Sequence, residues 1–259
     1  MLYGEQTSKD IPNLSSKVVV LPIGSLEQHG HHLPLLTDSL INTEIVRRAE
    51  AELGDAALFL PLLWCGASDH HLGLPGAVSI SNDAYTRLLI DILDSLITHG
   101  FRRIFLLNSH GGNVGPGGNA LYQVNHKHRD LSSLFLVLGS WFSLAGPQIA
   151  QIELLEQKAV THACELETSM ILFARPELVH MAAARGAHYH YDSDFWVPDS
   201  SGPSRVQVAR MFHQYTRTGA LGHPEKATAE KGEALFATAT REVVAFIREF
   251  ATWQPPEPN

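Results

Sequence analysis

The sequence predicts an α/β fold with a mostly parallel sheet and helices on both faces. Short apolar stretches rich in β-branched residues alternate along the chain with longer segments of helical spacing. Two of the helical segments end at Gly54 and Gly100, and glycine is a typical helix stop signal. Strands joined by helices of this length form βαβ units, which give parallel strands with right-handed crossovers.

The strands are predicted from runs that are short, apolar and bounded by polar or turn residues. A run buried on both faces of a parallel sheet is continuously apolar rather than alternating, and the first run, KVVVLPI, is of this kind. Strands are therefore expected at residues 17–23, 57–64, 102–107 and 134–138.

The helices are predicted from apolar residues that recur every three or four positions. Ser81 or Asn82 can cap the second of them, since both side chains accept hydrogen bonds from free backbone N–H groups. Helices are expected at residues 39–53, 82–99, 114–129 and 225–252.

Residues 186–224 differ from the rest of the chain. They are rich in Gly, His, Tyr, Ser, Asp and Pro and have little periodicity. We expect a long functional loop that lines either a substrate pocket or a subunit interface, with a plain surface loop as the alternative. Residues 254–259 form a Pro-rich tail, and residues 1–259 are expected to be one domain.

Composition limits the function. Of the 259 residues 44% are hydrophobic and 18% are charged, as in soluble globular proteins. The net charge of −8 argues against a nucleic-acid partner, which needs a basic face. No apolar run approaches the length of a membrane span, so no membrane partner is expected. Only Cys65 and Cys164 are cysteines, and the N-terminus has no signal-peptide pattern, so a cytoplasmic location is expected.

The loop at residues 24–38, GSLEQHGHHLPLLTD, carries a dense set of metal-binding side chains. It follows a predicted strand, and ligands bind at the carboxyl ends of parallel strands. Glu27 and His29 are two residues apart, so in an extended segment they point to the same side. Asp38 precedes the next helix and can return to the same pocket, where one carboxylate can bridge two ions. The alternative is a solvated surface loop.

Three further segments carry similar residues. His110 follows the third strand and precedes Gly111 and Gly112, whose backbone can approach a ligand closely. In the segment HACELETS, His162 and Glu165 share a helix face, whereas Glu165 and Glu167 diverge, so at most one of the two glutamates is a ligand. The segment 66–76 offers three side chains that can contact substrate or a neighbouring subunit: Asp69, His70 and His71.

Each segment alone has an ordinary explanation, namely a locally satisfied histidine, a charged helix start or a plain loop. Together they gather at one edge of a parallel sheet, which favours a single site. Oxygen and nitrogen donors of this kind suit zinc, manganese or iron. The spacing of phosphate-binding loops is absent, which argues against a nucleotide-binding protein.

These four segments resemble the creatininase family, the creatinine amidohydrolases. The patterns G-S-x-E-Q-H-G-x-H-L-P-x-x-T-D, G-x-S-x-x-H-x-x-x-P-G, N-G-H-G-G-N and H-A-G-E-x-E-T-S are matched in that order, with departures at His31, Ser109 and Cys164. The resemblance implies a three-layer α/β/α fold and a homo-oligomer, often a hexamer. It implies two divalent metal ions, zinc first, with manganese or iron as alternatives.

The resemblance also implies a metal-dependent amidohydrolase. Such an enzyme cleaves a C–N bond of a small-molecule amide, cyclic or formamide, using a hydroxide that bridges the two ions. Two alternatives come from the same family: a peptidase that trims a cofactor precursor peptide, and a non-catalytic binding or scaffold member.

Residue by residue, the resemblance implies that Glu27 and His110 hold one metal, that His29 and a late glutamate hold the other, and that Asp38 bridges. In creatininase proper a metal-binding glutamate lies two residues after the histidine of the His110 motif, where this chain has glycine. The fifth ligand is therefore expected to be Glu165, with Glu167 left open. The expected catalytic residues are His162 and Glu167, and the expected substrate-binding residues are Ser25, His70, Gly111 and Gly112.

Overall fold

The computed structural model describes residues 1–197 and 204–255. Its centre is a four-stranded parallel sheet with the order β2-β1-β3-β4. The strands are β1 (Val18–Ile23), β2 (Ala57–Phe59), β3 (Arg103–Asn108) and β4 (Phe135–Ser140).

Helices cover both faces of this sheet, which gives the expected three-layer α/β/α arrangement. The helices are α1 (Ile11–Leu14), α2 (Thr37–Leu53), α3 (Asn82–Thr98), α4 (Val114–Lys127), α5 (Trp141–Leu144), α6 (Gly146–Ile149), α7 (Glu165–Ala174) and α8 (Ala229–Phe250). One face is covered by α2, α7 and α8, and the other by α3 and α4.

The central strand β1 shows why the sheet could be predicted from the sequence. Successive side chains of a strand point to opposite faces. Val18 and Val20 pack into the layer of α2 and α8, whereas Val19, Leu21 and Ile23 pack into the layer of α3 and α4. Because both faces are buried, the strand needs apolar residues at every position.

Two boundaries differ from the prediction in ways that affect the site. Strand β2 ends at Phe59 rather than at residue 64, because Pro61 has no N–H to donate to a sheet ladder. Helix α2 begins at Thr37 rather than at residue 39, so Asp38 lies in its first turn. A helix start fixes the direction of this carboxylate more firmly than a loop would.

The long segment predicted at 186–224 packs against the carboxyl edge of the sheet. Residues around Phe212 contact the short turn at Asp69–His71, and His188 pairs with Thr216 in an isolated antiparallel bridge. Residues 198–203 of this segment and 256–259 of the predicted tail lie outside the described residues. Among the described helices, none combines the length and the apolar character that crossing a membrane requires.

Candidate metal centre

Seven acidic and imidazole side chains from four segments of the chain meet, buried, beyond the carboxyl ends of β1 and β3. They form three overlapping clusters, and the nitrogen and oxygen atoms within each cluster lie within 4.8 Å of one another. The first cluster is Glu27, Asp38 and His110, the second is His29, His162 and Glu167, and the third is Glu27, His71 and His162.

The first cluster joins the loop after β1, the start of α2 and the end of β3. Glu27 Oε2 lies 3.2 Å from His110 Nε2, and His110 Nδ1 lies 3.2 Å from Asp38 Oδ2. The hydroxyl of Ser25 donates a hydrogen bond of 2.6 Å to Asp38 Oδ2 from behind. Ser25 is fully buried and this contact orients Asp38, whereas binding of substrate by Ser25 stays a prediction.

Asp38 also reaches the second cluster. Its Oδ1 atom lies 3.3 Å from His29 Nε2. The other ring nitrogen of His29 lies 3.2 Å from the backbone oxygen of Glu27, which directs Nε2 towards the carboxylates. The two oxygens of one carboxylate therefore face two different imidazoles.

The buried atoms of these clusters fit divalent metal ions. Within the described parts of the chain, Glu27 Oε2 and His29 Nε2 have no hydrogen-bond partner, although an imidazole nitrogen lies 3.2 Å from the first and a carboxylate oxygen 3.3 Å from the second. These contacts are close but do not have hydrogen-bond geometry, and the ligand atoms of each cluster are near enough to one another to share an ion in the space between them. Buried polar atoms are normally satisfied, and an ion in that space satisfies both. The set of carboxylates and imidazoles suits zinc, manganese or iron.

Burial and charge shift the ionisation of the clusters in opposing directions. Burial disfavours a charged imidazole at His29, but Asp38 outweighs it and raises the pKa to about 9. Burial is likewise outweighed at His110, where Glu27 and Asp38 raise the pKa well above its usual range. At Asp38 burial favours the neutral acid and so raises the pKa, yet His29 and His110 outweigh burial and hold the pKa well below its usual range. At Glu167 burial prevails and raises the pKa to about 7.

His162 is held as a neutral imidazole, with one ring nitrogen against the backbone and the other facing the clusters. Its Nε2 lies 2.8 Å from the backbone oxygen of Gln28, which can only accept, and 3.1 Å from the side-chain amide nitrogen of Gln28, which can only donate. We assign the proton to Nε2 from the shorter of the two contacts. Nδ1 is then an acceptor, 3.8 Å from Glu27 Oε1. Burial first, and then the charge of His29, lower the pKa of His162 well below its usual value.

A sharp turn at Ala163 brings His162 and Glu167 to the same site. Ala163 has a φ of +49°, a left-handed conformation that non-glycine residues rarely adopt. Its N–H donates a hydrogen bond of 2.5 Å to Glu167 Oε2. The strained residue thus connects the imidazole before α7 with the carboxylate in the first turn of α7.

Glu165 lies outside all three clusters. Its carboxylate accepts hydrogen bonds from the backbone N–H groups of Glu156 (3.2 Å) and Gln157 (2.7 Å) and forms an ion pair with Lys231 Nζ (2.6 Å). The structure therefore does not bring Glu165 to the clusters, because its oxygens are held by other partners, and the identity of the fifth ligand stays a prediction. Glu167 occupies the position among the clusters instead.

The remaining predicted substrate-binding residues line a cavity of about 980 Å³ that opens at the clusters. His70, Gly111 and Gly112 all lie in its wall. The ring of His70 stacks on that of His110, with centroids 5.6 Å apart and planes 13° apart. A Cβ atom on Gly112 would overlap the backbone oxygen of Ala67 and the ring of His110, so no side chain fits at this position.

Two contributions were missed by sequence reasoning. His71, rather than its neighbour His70, joins the third cluster, with Nε2 3.1 Å from Glu27 Oε1. Periodicity does not select between adjacent histidines, but the motif G-x-S-x-x-H over residues 66–71 ends at His71 and could have selected it. Phe212, from the long segment, stacks on His71 with centroids 4.1 Å apart and meets His162 edge-on at 4.4 Å. No sequence signal predicted this packing, because a loop's position depends on tertiary contacts.

The family model described as creatinine amidohydrolase matches residues 4–247. The chain belongs to the creatininase family. Members of this family are hydrolases acting on C–N bonds, and the chain is a creatininase-family amidohydrolase with clusters suited to divalent metals. The resemblance predicted from the four segments is confirmed.

Several known proteins are similar to this creatininase-family chain. It is 30% identical to the mycofactocin precursor peptide peptidase of Mycobacterium tuberculosis, covering 97% of this chain and 91% of that protein. It is 29% identical to the creatinine amidohydrolase of Pseudomonas putida, covering 90% and 89%. A solved structure named "Creatininase Mn" superposes with a TM-score of 0.79 at 25% identity, covering 96% and 97%. Another, of a mutant creatininase described as "Zn-Zn type", superposes with a TM-score of 0.78 at 25% identity over 96% and 97%. These matches confirm the fold and support divalent metal binding.

Proposed function

We propose that this chain hydrolyses an amide bond of a peptide-class substrate with two divalent metal ions. The observation that carries the proposal is the position of Asp38. Its Oδ1 lies 3.3 Å from His29 and its Oδ2 lies 3.2 Å from His110, so the first and second clusters meet at one carboxylate. A carboxylate placed in this way suits a bridging ligand.

The residues divide between two ion sites. Glu27 and His110 would hold one ion, His29 and Glu167 the other, and Asp38 both. Bound there, the ions would supply Lewis acidity and a nucleophile at neutral pH. The side chains keep the oxygen and nitrogen donors in place, and Ser25 fixes the orientation of Asp38 through its hydrogen bond.

His162 is the proposed proton carrier. Its Nδ1 is unprotonated and faces the clusters, while its Nε2–H is committed to the backbone oxygen of Gln28. An imidazole in this state can take a proton from the attacking water and return it to the leaving nitrogen. The backbone amides of Gly111 and Gly112 line the same cavity, and we propose that they contact the substrate's carbonyl oxygen.

The size of the cavity favours a peptide over a small cyclic amide. Its volume of about 980 Å³ is at the upper end for small-molecule sites, and creatinine would fill only a small part of it. The full-length similarity to a precursor peptide peptidase supports the same substrate class. A small cyclic amide or a formamide is the second candidate, supported by the similarity to a creatinine amidohydrolase.

Metal reconstitution combined with a substrate panel tests the proposal. Chelated protein is reloaded with zinc, manganese or iron and assayed on short peptides, cyclic amides and formamides. We expect hydrolysis that requires metal and is fastest on peptides. Protein that is purified without chelator, holds no metal and gains no activity on reloading would instead support a non-catalytic scaffold.

The finer expectations belong to the same proposal. Zinc is the first choice of ion, and manganese or iron are the alternatives. The two free cysteines, Cys65 and Cys164, support a reducing, cytoplasmic compartment. A homo-oligomer is proposed from the family resemblance, and light scattering on the purified protein measures it directly.

A further inference from the structure

Among the described residues, the cavity wall has one side chain with a permanent positive charge. Arg210 is the only lysine or arginine that lines it, and the acidic lining residues are Glu27, Asp38, Asp69 and Glu167. Glu27, Asp38 and Glu167 belong to the clusters and Asp69 neighbours them, whereas Arg210 comes from the long segment and belongs to none of the clusters. The cavity is therefore electrostatically asymmetric.

Arg210 is held by an aromatic ring rather than by an acid. Its guanidinium lies over the ring of Tyr191, 5.2 Å from the centroid, and the hydroxyl of Tyr191 donates a hydrogen bond of 2.8 Å to the backbone oxygen of Gln214. Within residues 1–197 and 204–255 no carboxylate lies within 4.0 Å of it. A guanidinium stacked in this way keeps its N–H fork available for a ligand.

A row of aromatic rings links Arg210 with the imidazoles of the third cluster. Tyr191 lies 5.0 Å from Trp196, which lies 5.8 Å from Tyr215. Tyr215 lies 6.0 Å from Phe212, and Phe212 stacks directly on His71. Three of these rings, Trp196, Tyr215 and Phe212, line the cavity, so a ligand between the clusters and Arg210 crosses an apolar wall.

We propose that Arg210 determines specificity by binding a carboxylate of the substrate while the scissile amide lies at the clusters. This inference rests on the proposed function. A planar carboxylate matches the guanidinium fork through two parallel hydrogen bonds. A carboxylate carries one negative charge, which a single guanidinium can neutralise, whereas a phosphate dianion would need a second cation, and no other lysine or arginine among the described residues lines the cavity. The aromatic row favours apolar side chains between the amide and the carboxylate.

The carboxylate can come from a peptide's C-terminus or from an acidic side chain, and matched peptides distinguish the two sources. One apolar peptide is made with a free C-terminus, with an amidated C-terminus, and amidated with an internal glutamate. The metal-loaded wild-type protein is compared with Arg210→Met. Arg217→Met is the matched control, since Arg217 belongs to the same segment and lies over Tyr189 at 5.7 Å without lining the cavity.

We expect the wild-type protein and Arg217→Met to prefer a carboxylate-bearing peptide to the plain amidated one. Arg210→Met should lower kcat/KM for that peptide about 10- to 100-fold, chiefly through KM, because hydrogen bonds to charged groups are lost. It should leave kcat/KM for the plain amidated peptide unchanged. A preference that persists in Arg210→Met, or no preference in the wild-type protein, overturns the proposal.

Calorimetric binding of the same peptides to metal-loaded protein separates the two levels of inference. If no peptide is hydrolysed but the carboxylate peptides bind more weakly to Arg210→Met, the proposed function fails and the carboxylate site stands. If peptides are hydrolysed and binding is equal in both proteins, the proposed function stands and the carboxylate site is wrong.

Discussion

Replacing Glu165 tests whether its carboxylate has a structural role or binds a metal ion. Its side chain is fully buried and holds two backbone N–H groups and Lys231, whose side chain is only 12% exposed. Glu165→Ala leaves the ammonium without its carboxylate partner and with only its bond to the backbone oxygen of Lys226, and breaking a buried ion pair in this way costs about 3–5 kcal/mol. The two freed N–H groups lie in a partly buried loop where water can replace some of the lost bonds. We therefore expect the whole substitution to lower the free energy of unfolding by the same range.

The assay is urea unfolding of chelated protein, so that the loss of bound metal does not contribute to the measured stability. Glu165→Ala should lose about 3–5 kcal/mol of unfolding free energy. Glu177→Gln is the control, because that carboxylate pairs with Arg175 at the exposed surface, and its unfolding midpoint should not move.

The metal content of the same variants completes the comparison. Glu165→Gln keeps the shape of the side chain and should retain both ions, whereas Glu167→Gln should lose one. The reasoning is refuted if Glu165→Ala leaves stability unchanged, or if Glu165→Gln loses metal while Glu167→Gln retains it. The second result would return Glu165 to the ligand role.

Three further predictions concern the clusters themselves. Gly112→Ala should lower metal content, because its Cβ would meet a backbone oxygen and the ring of His110, whereas Gly111→Ala meets nothing within 4 Å and should bind normally; equal metal content in both variants contradicts this. His162→Gln should keep its metal but lose about 10²- to 10⁴-fold in kcat, the usual contribution of a general acid–base residue, and unchanged turnover would exclude it as proton carrier. Because the pKa of His29 is raised to about 9 and that of His110 is also raised, both rings carry protons at pH 7 in metal-free protein, and Glu167, with a pKa of about 7, carries one in part. Metal binding should therefore release about two to three protons and tighten as the pH rises towards 9. Calorimetry in buffers of different ionisation enthalpy measures that release, and none would contradict the assignment.

The sheet and the first cluster could be predicted from sequence for the same physical reason. A strand buried on both faces has no polar position, so its end is marked where polar residues begin. Glu27 and Asp38 follow β1 in this way, and His110 follows β3. Residues that follow neighbouring parallel strands meet at one sheet edge, so the predicted topology already implied that these side chains lie close together.

The choice between Glu165 and Glu167 could not be predicted, because both lie in the first turn of α7 and point in different directions. Which of them faces the site depends on the left-handed turn at Ala163 and on Lys231, 66 residues further along the chain. The cavity wall that carries Phe212 is also set by long-range packing. Local spacing contains neither kind of information.

The metal content of Asp38→Ala tests the central claim most directly. Protein purified without chelator is analysed by mass spectrometry for metal per chain, beside the wild-type protein and Asp69→Asn, an acid that lines the cavity outside the clusters. We predict that Asp38→Ala loses both ions while Asp69→Asn retains both. Asp38→Ala protein that is folded and still holds one ion per chain would contradict a carboxylate shared between two sites.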